Sequence, residues 1–222
     1  MLTKTTRCGE FGHKEFLIEC DDVLVQAGTT RWFIDWLESS VQAGKVFAPG
    51  QHVQLGWSIL KVMPEVDNYL SFSEPDFSSS PIQFVPGVSQ SLQHLFIQKS
   101  IAESIGVKEE LTIPSLQTSA IICSRFSIEK PLFFSRSEPV EKDSGWFFGC
   151  LDQTHNHSVV EELRKVSLYE AALRHGFRMV PYLGLPAGTD VILVGKEIEI
   201  YRDRKPMALQ PGSYLAELLQ KR

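Results

Sequence analysis

The stretch SGWFFGCLDQTHNHSVVEELRKVSLYEAALRH, residues 144–175, decides the fold of the second half of this chain. Its apolar opening, SGWFFGCLD, leads through a polar loop into SVVEELRKVSLYEAALRH. There Val159, Leu163, Val166, Tyr169 and Leu173 recur at helical spacing on one face. Ser158 is followed three residues later by Glu161, the form of a capping box, in which hydroxyl and carboxylate each take an exposed amide of the first turn. The pattern predicts a helix that starts at Ser158.

The loop before it places His155, Asn156 and His157 side by side, with Glu161 and Glu162 close behind. A nuclease of the HNH type spreads its histidines and asparagine over separate elements around a metal, and three adjacent residues do not have that geometry. A His-x-His pair can hold one side of a metal ion, but zinc needs at least a third protein ligand. Glu161 or Glu162 supplies it only if the chain folds back tightly. The expectation is a helix start, with no metal and no cofactor.

Working outward, Ile192 and Val194, a Gly195-Lys196 turn, and Ile198 and Ile200 alternating with Glu197 and Glu199 predict a hairpin, and GSYLAELLQK a short final helix. Upstream, SAIICSRF and PLFFSRSE are short strand candidates, and SRSEPVEKDSG is polar enough to be a connection. In the first half, Phe33, Trp36, Leu37 and Val41 mark an amphipathic helix stopped by Gly44. QHVQLGWSILKV and NYLSFSEPDF alternate like paired strands around the turn PEVDN. Val88, Leu92, Leu95 and Phe96 return to helical spacing, and Gly106 closes that helix. The class expected is α+β: two small mixed domains, each an antiparallel sheet with one or two helices packed on it. The boundary is drawn between an N-terminal domain, residues 1–137, and a C-terminal one, residues 138–222.

Composition fits a folded globular protein, with 43% hydrophobic and 22% charged residues and a mean hydropathy of -0.08. No stretch approaches the roughly 18 apolar residues of a membrane helix, nor does the N-terminus hold a secretory apolar core. A cytoplasmic protein without membrane contact is expected. Cys8, Cys20, Cys123 and Cys150 show no CxxC spacing, so buried free thiols are the expectation. Residues 1–115 hold 8 Lys+Arg against 14 Asp+Glu, whereas residues 116–222 hold 14 against 13. The acidic first half disfavours direct contact with nucleic acid and suits a basic protein partner.

Catalytic patterns are missing. Asp143-Ser144-Gly145-Trp146 is not the G-x-S-x-G elbow and reads as a turn that delivers Trp146 to a core. The carboxylates of Glu74-Pro75-Asp76 stand at a bend without a second pair. VPGVSQS and LPAGTD have too few glycines for a phosphate loop.

The run EKDSGWFFGC, then SLYEAALRHG, then VPYLGLPAGT and the hairpin, over about residues 138 to 208, resembles the immunity-protein family numbered thirty-three among polymorphic-toxin immunity proteins. The matching positions are Asp143, Ser144, Gly145, Trp146 and Gly149, then Ser167, Leu168 and Tyr169, then Leu183, Leu185, Pro186 and Gly188. The resemblance implies a non-enzymatic antitoxin that binds the catalytic domain of a secreted toxin, often a nuclease (DNase) delivered by type VI secretion. Charge alone assigns toxin contact to Asp21, Asp22, Glu65, Asp67, Glu74 and Asp76, on turns beside strands. Asp143, Ser144, Gly145, Trp146, Pro186 and Gly188 are expected to be structural. The alternatives are a small-molecule-binding or regulatory module, and a hydrolase built on His155, His157 and a carboxylate.

Overall fold

The structure, a computed structural model, describes residues 2–21, 28–127 and 130–220. The chain folds as two compact units, residues 1–96 and 97–222.

In the first unit β1 (Leu2–Lys4) pairs antiparallel with β2 (Leu17–Glu19), and α1 (Thr29–Gln42) follows. Phe33, Leu37 and Val41 of α1 are buried at the spacing of one helix face. β3 (His52–Leu55), β4 (Ser58–Pro64), β5 (Leu70–Pro75) and β6 (Phe84–Pro86) form a four-stranded antiparallel meander in chain order. QHVQLGWSILKV is thus itself a hairpin, with Gly56 and Trp57 at its turn, and β4 pairs on its other side with β5. Phe16 is wholly buried, stacked on Phe72 at 5.3 Å and edge-on to Phe47 at 5.4 Å. Burial of such a ring contributes about 2–3 kcal/mol. The division between units falls within α2 (Ser89–Ser104).

The second unit is built on a seven-stranded sheet. Its strands are β7 (Ser119–Cys123), β8 (Leu132–Arg136), β9 (Asp143–Cys150), β10 (Leu163–Ser167), β11 (Thr189–Val194), β12 (Glu197–Arg202) and β13 (Lys205–Pro206), in the order β10-β7-β9-β8-β11-β12-β13. α3 (Leu168–His175) and α4 (Tyr214–Gln220) complete it. The α+β class holds. One pair, β7 with β9, is parallel, so this sheet is mixed rather than antiparallel throughout.

The segment quoted first folds differently from its periodicity. Residues 163–167 form β10, paired antiparallel with β7 from Leu163↔Cys123 to Ser167↔Ser119. The helix starts at Leu168, capped by Ser167, whose Oγ accepts from Glu170 N–H at 3.1 Å. Ser167-x-x-Glu170 repeats the Ser-x-x-Glu spacing nine residues later. The backbone ladder offered by β7 outweighs the helical period of Val159, Leu163 and Val166. The boundary drawn at 137/138 passes between β8 and β9, which pair from Leu132↔Cys150 to Arg136↔Trp146. The polar SRSEPVEKDSG is a hairpin connection inside the sheet and not a linker.

Candidate functional site

The acidic residues assigned to toxin contact separate on folding. Glu74 is 4% exposed, and its carboxylate accepts from Gln90 N–H at 3.1 Å and Ser91 N–H at 2.7 Å, closing the first turn of α2. It is a buried helix cap, its carboxylate turned to the amides of α2. Glu65 and Asp67 share the turn between β4 and β5, exposed, with Asp67 at φ 55°, a conformation that Asp tolerates better than most residues. Glu65 also lines a groove of about 310 Å³ with Leu2, Leu17, Glu19, Phe72 and Pro86. Asp76 holds a turn by accepting from Ser78 N–H at 3.0 Å and Ser78 Oγ–H at 2.6 Å, bonds that keep its carboxyl below the usual range. Asp21 is exposed, and its N–H donates to Ser89 Oγ at 3.1 Å. Asp22 lies outside the described residues.

Several of the positions that carry the family resemblance, Ser144, Trp146, Leu183 and Leu185, meet at a buried cation. Arg136 is 3% exposed, with its guanidinium 5.5 Å from the Trp146 ring. It donates to the carbonyls of Leu183 at 3.1 Å, Leu185, and Ser144 at 3.3 Å. Burial lowers its pKa to about 10, which leaves it charged at neutral pH. Trp146 Nε1–H reaches the same Leu183 carbonyl at 3.1 Å. Gly145 has φ +76°, and a Cβ there would stand 2.1 Å from Ser137 O, so only glycine fits. Asp143 accepts from Gly145 N–H at 2.9 Å and Ser119 Oγ–H at 3.0 Å, and pairs with Lys165 at 3.2 Å. Ser144 Oγ–H donates to Ser119 O at 2.7 Å and is not a nucleophile in waiting. Gly188 N–H donates to Arg136 O at 2.7 Å, and Pro186 is buried.

A third cluster joins residues that the sequence leaves far apart. Cys123 closes β7 and Cys150 closes β9, and because these neighbours are parallel, both thiols reach the same end of the sheet. The loop after Cys150 turns back on itself. Asp152 Oδ1 accepts from Thr154 N–H at 2.9 Å and Thr154 Oγ1–H at 2.7 Å, Asp152 Oδ2 from Arg125 at 3.1 Å, and Asn156 Oδ1 from Ser158 N–H at 2.9 Å. The Thr154 bonds, then Arg125, hold the Asp152 carboxyl at about 2. These turns deliver His155 Nδ1 to 3.2 Å and His157 Nε2 to 3.7 Å from Cys150 Sγ. One donor atom from each of Cys123, Cys150, His155 and His157 lies within 4.8 Å of the others. Burial raises the Cys123 thiol pKa, and burial and then His155 lower that of His157, so both stay neutral as they stand. Gly149 has no side chain between Phe147 and His157; a Cβ there would lie 2.6 Å from Phe147 Cε1 and 3.4 Å from His157 Cε1. All four cysteines are free and buried, as expected. The local signal for the cluster, Cys-x4-His-x-His at 150–157, lacks Cys123, and without a fold it names no fourth ligand.

Residues 97–203 match the model of the Imm33-like domain. The match, consistent with an immunity-protein domain in this stretch, begins at the residue where the second compact unit begins. It extends upstream of the stretch that carried the resemblance and takes in β7, β8 and Cys123. An immunity family implies a toxin partner in general. Neither a curated protein nor a solved structure matches the chain. Among the described residues no helix is long and apolar enough to cross a membrane.

Proposed function

We propose that this chain is a cytoplasmic antitoxin that binds the catalytic domain of a cognate secreted toxin and occludes it, without catalysis of its own. The observation that carries the reading is the Imm33-like match over residues 97–203. The toxin class proposed is a nuclease, a DNase delivered by a type VI secretion system. Charge supports this part: residues 1–96 hold 6 Lys+Arg and 11 Asp+Glu, while residues 97–222 hold 16 of each. A nuclease presents a basic surface to its substrate, and acidic turns steer an inhibitor onto it, chiefly through the association rate. The contact residues proposed are Asp21, Glu65, Asp67 and Asp76, with Glu65 set at a groove that has apolar walls.

The test is co-expression with the protein encoded by the adjacent gene, followed by size-exclusion chromatography and a growth assay. Co-elution and restored growth are expected. Separate elution together with unrelieved toxicity would overturn the reading and turn attention to a small-molecule-binding or regulatory role.

A further inference from the structure

We propose that Cys123, Cys150, His155 and His157 form a structural zinc site that pins the loop 151–159 to the end of the seven-stranded sheet. Two thiolates and two imidazoles are a donor set that zinc takes in closed, tetrahedral structural sites. Zn–S bonds of about 2.3 Å and Zn–N bonds of about 2.0–2.1 Å require S···N edges of about 3.5 Å in a tetrahedron. The two S···N separations, 3.2 and 3.7 Å, bracket that edge. All donor atoms lie within 4.8 Å of one another, so closure on an ion needs shifts of about 1 Å or less. Four protein donors leave no position for a reacting water, which makes the site structural and not catalytic.

The surroundings fit the same reading. Ligand histidines commonly direct their second ring nitrogen to a carboxylate, which fixes the ring and raises its basicity. His155 Nε2 is enclosed and makes no hydrogen bond, yet Glu162 Oε2 stands 3.5 Å away. That carboxylate is itself held by the Ser124 hydroxyl, one residue after Cys123. With Nδ1 on the metal, Nε2–H gains Glu162 as its acceptor, which removes a buried unsatisfied donor. Cys123, Cys150 and His155 are buried and His157 is partly so, and the Arg125 guanidinium is paired with Asp152 of the loop. On binding, each thiol gives its proton to solvent and each imidazole donates a lone pair, so zinc enters with release of two protons. The site is independent of which toxin the protein meets.

The experiment uses the full chain, purified without a histidine tag, stripped with a chelator and titrated with Co²⁺ and then Zn²⁺. The expected result is one equivalent of Co²⁺ with the intense visible bands of a tetrahedral ion and a thiolate charge-transfer band, both erased by one equivalent of Zn²⁺. Cys150→Ser is expected to weaken Zn²⁺ affinity about 100-fold or more, since one of four ligands is lost. His157→Ala, at the least buried of the four, gives a second reading if the serine variant fails to fold. Glu162→Gln is expected to lose about 10-fold with the tetrahedral bands intact. Cys20→Ala, in the other unit, is expected to leave binding unchanged. Failure of the wild-type chain to develop a tetrahedral spectrum, equal affinity in His157→Ala, or a Cys123–Cys150 disulfide in freshly isolated reduced-cell protein would each overturn the site.

Discussion

The two compact units divide charge and chemistry unequally. Residues 1–96 carry the whole net charge of -5 and lie outside the family match. Residues 97–222 are neutral overall, contain the match, and place charged and metal-binding groups inside: Arg136 under Trp146, and the Cys/His cluster at the end of β7 and β9. The residues that make the family recognisable serve the second unit's interior. The Trp146 ring and the carbonyls of Ser144, Leu183 and Leu185 form the socket of a buried arginine. A pattern that encodes a socket identifies a fold and says little about which toxin it meets. On our reading the choice of partner draws on the acidic turns of the other unit.

The comparison breaks hardest at Arg136. Arg136→Ala takes a donor from three buried carbonyls, of which that of Leu183 keeps Trp146 Nε1–H, and leaves a void beside Trp146, and a loss of about 3–5 kcal/mol in urea unfolding is expected. A loss below about 1 kcal/mol would show that the socket is not what holds the second unit.

In the first unit the sharpest test is pH. His94 stands against Trp57 and Phe77, and accepts from Trp57 Nε1–H at 3.1 Å through Nδ1, as a neutral imidazole can. Burial lowers its pKa from 6.5 to about 4. The unfolded chain therefore binds this proton more readily than the folded one. The associated stability is complete above pH 6.5 and is lost as pH falls toward 4, up to about 3 kcal/mol. His94→Phe is expected to flatten urea midpoints across that window, and an unchanged slope would place the acid sensitivity elsewhere.

Glu74 gives the next effect. Glu74→Gln keeps the shape of the cap but weakens its acceptance from Gln90 and Ser91, and a cost of about 1–2 kcal/mol is expected, with no change in the association rate of the remaining folded protein. A slower association at unchanged stability would return Glu74 to the interface. The smallest effect belongs to the exposed turns. Asp21→Lys, Glu65→Lys and Asp67→Asn together are expected to leave the urea midpoint within about 0.5 kcal/mol. They should slow toxin association roughly 10-fold at low salt, a difference that fades as salt rises. Stopped-flow association at two ionic strengths measures it.

Legibility in the sequence followed the range of the interaction. α1, α2, the Gly195-Lys196 hairpin and the final helix were readable because each is written in its own local period and stop signals. The start of α3 is ambiguous in the sequence because the Ser-x-x-Glu signal recurs nine residues later, and only the edge of β7 decides between the two. Glu74 and Asp76, two residues apart, read alike in the sequence. One caps a helix from beneath and the other holds an outer turn, a difference that depends on where α2 lands.

By itself the sequence determined the α+β class, the resemblance of its second half to an immunity domain, the acidic first unit and four cysteines without CxxC spacing, since composition, spacing and period need no knowledge of distant neighbours. The tertiary structure alone decided which acids face solvent, where the sheet divides the chain, and that Cys123 stands beside Cys150, His155 and His157. The physical reason is the parallel pairing of β7 with β9: it carries two strand ends to the same place across a separation in sequence that no local pattern records.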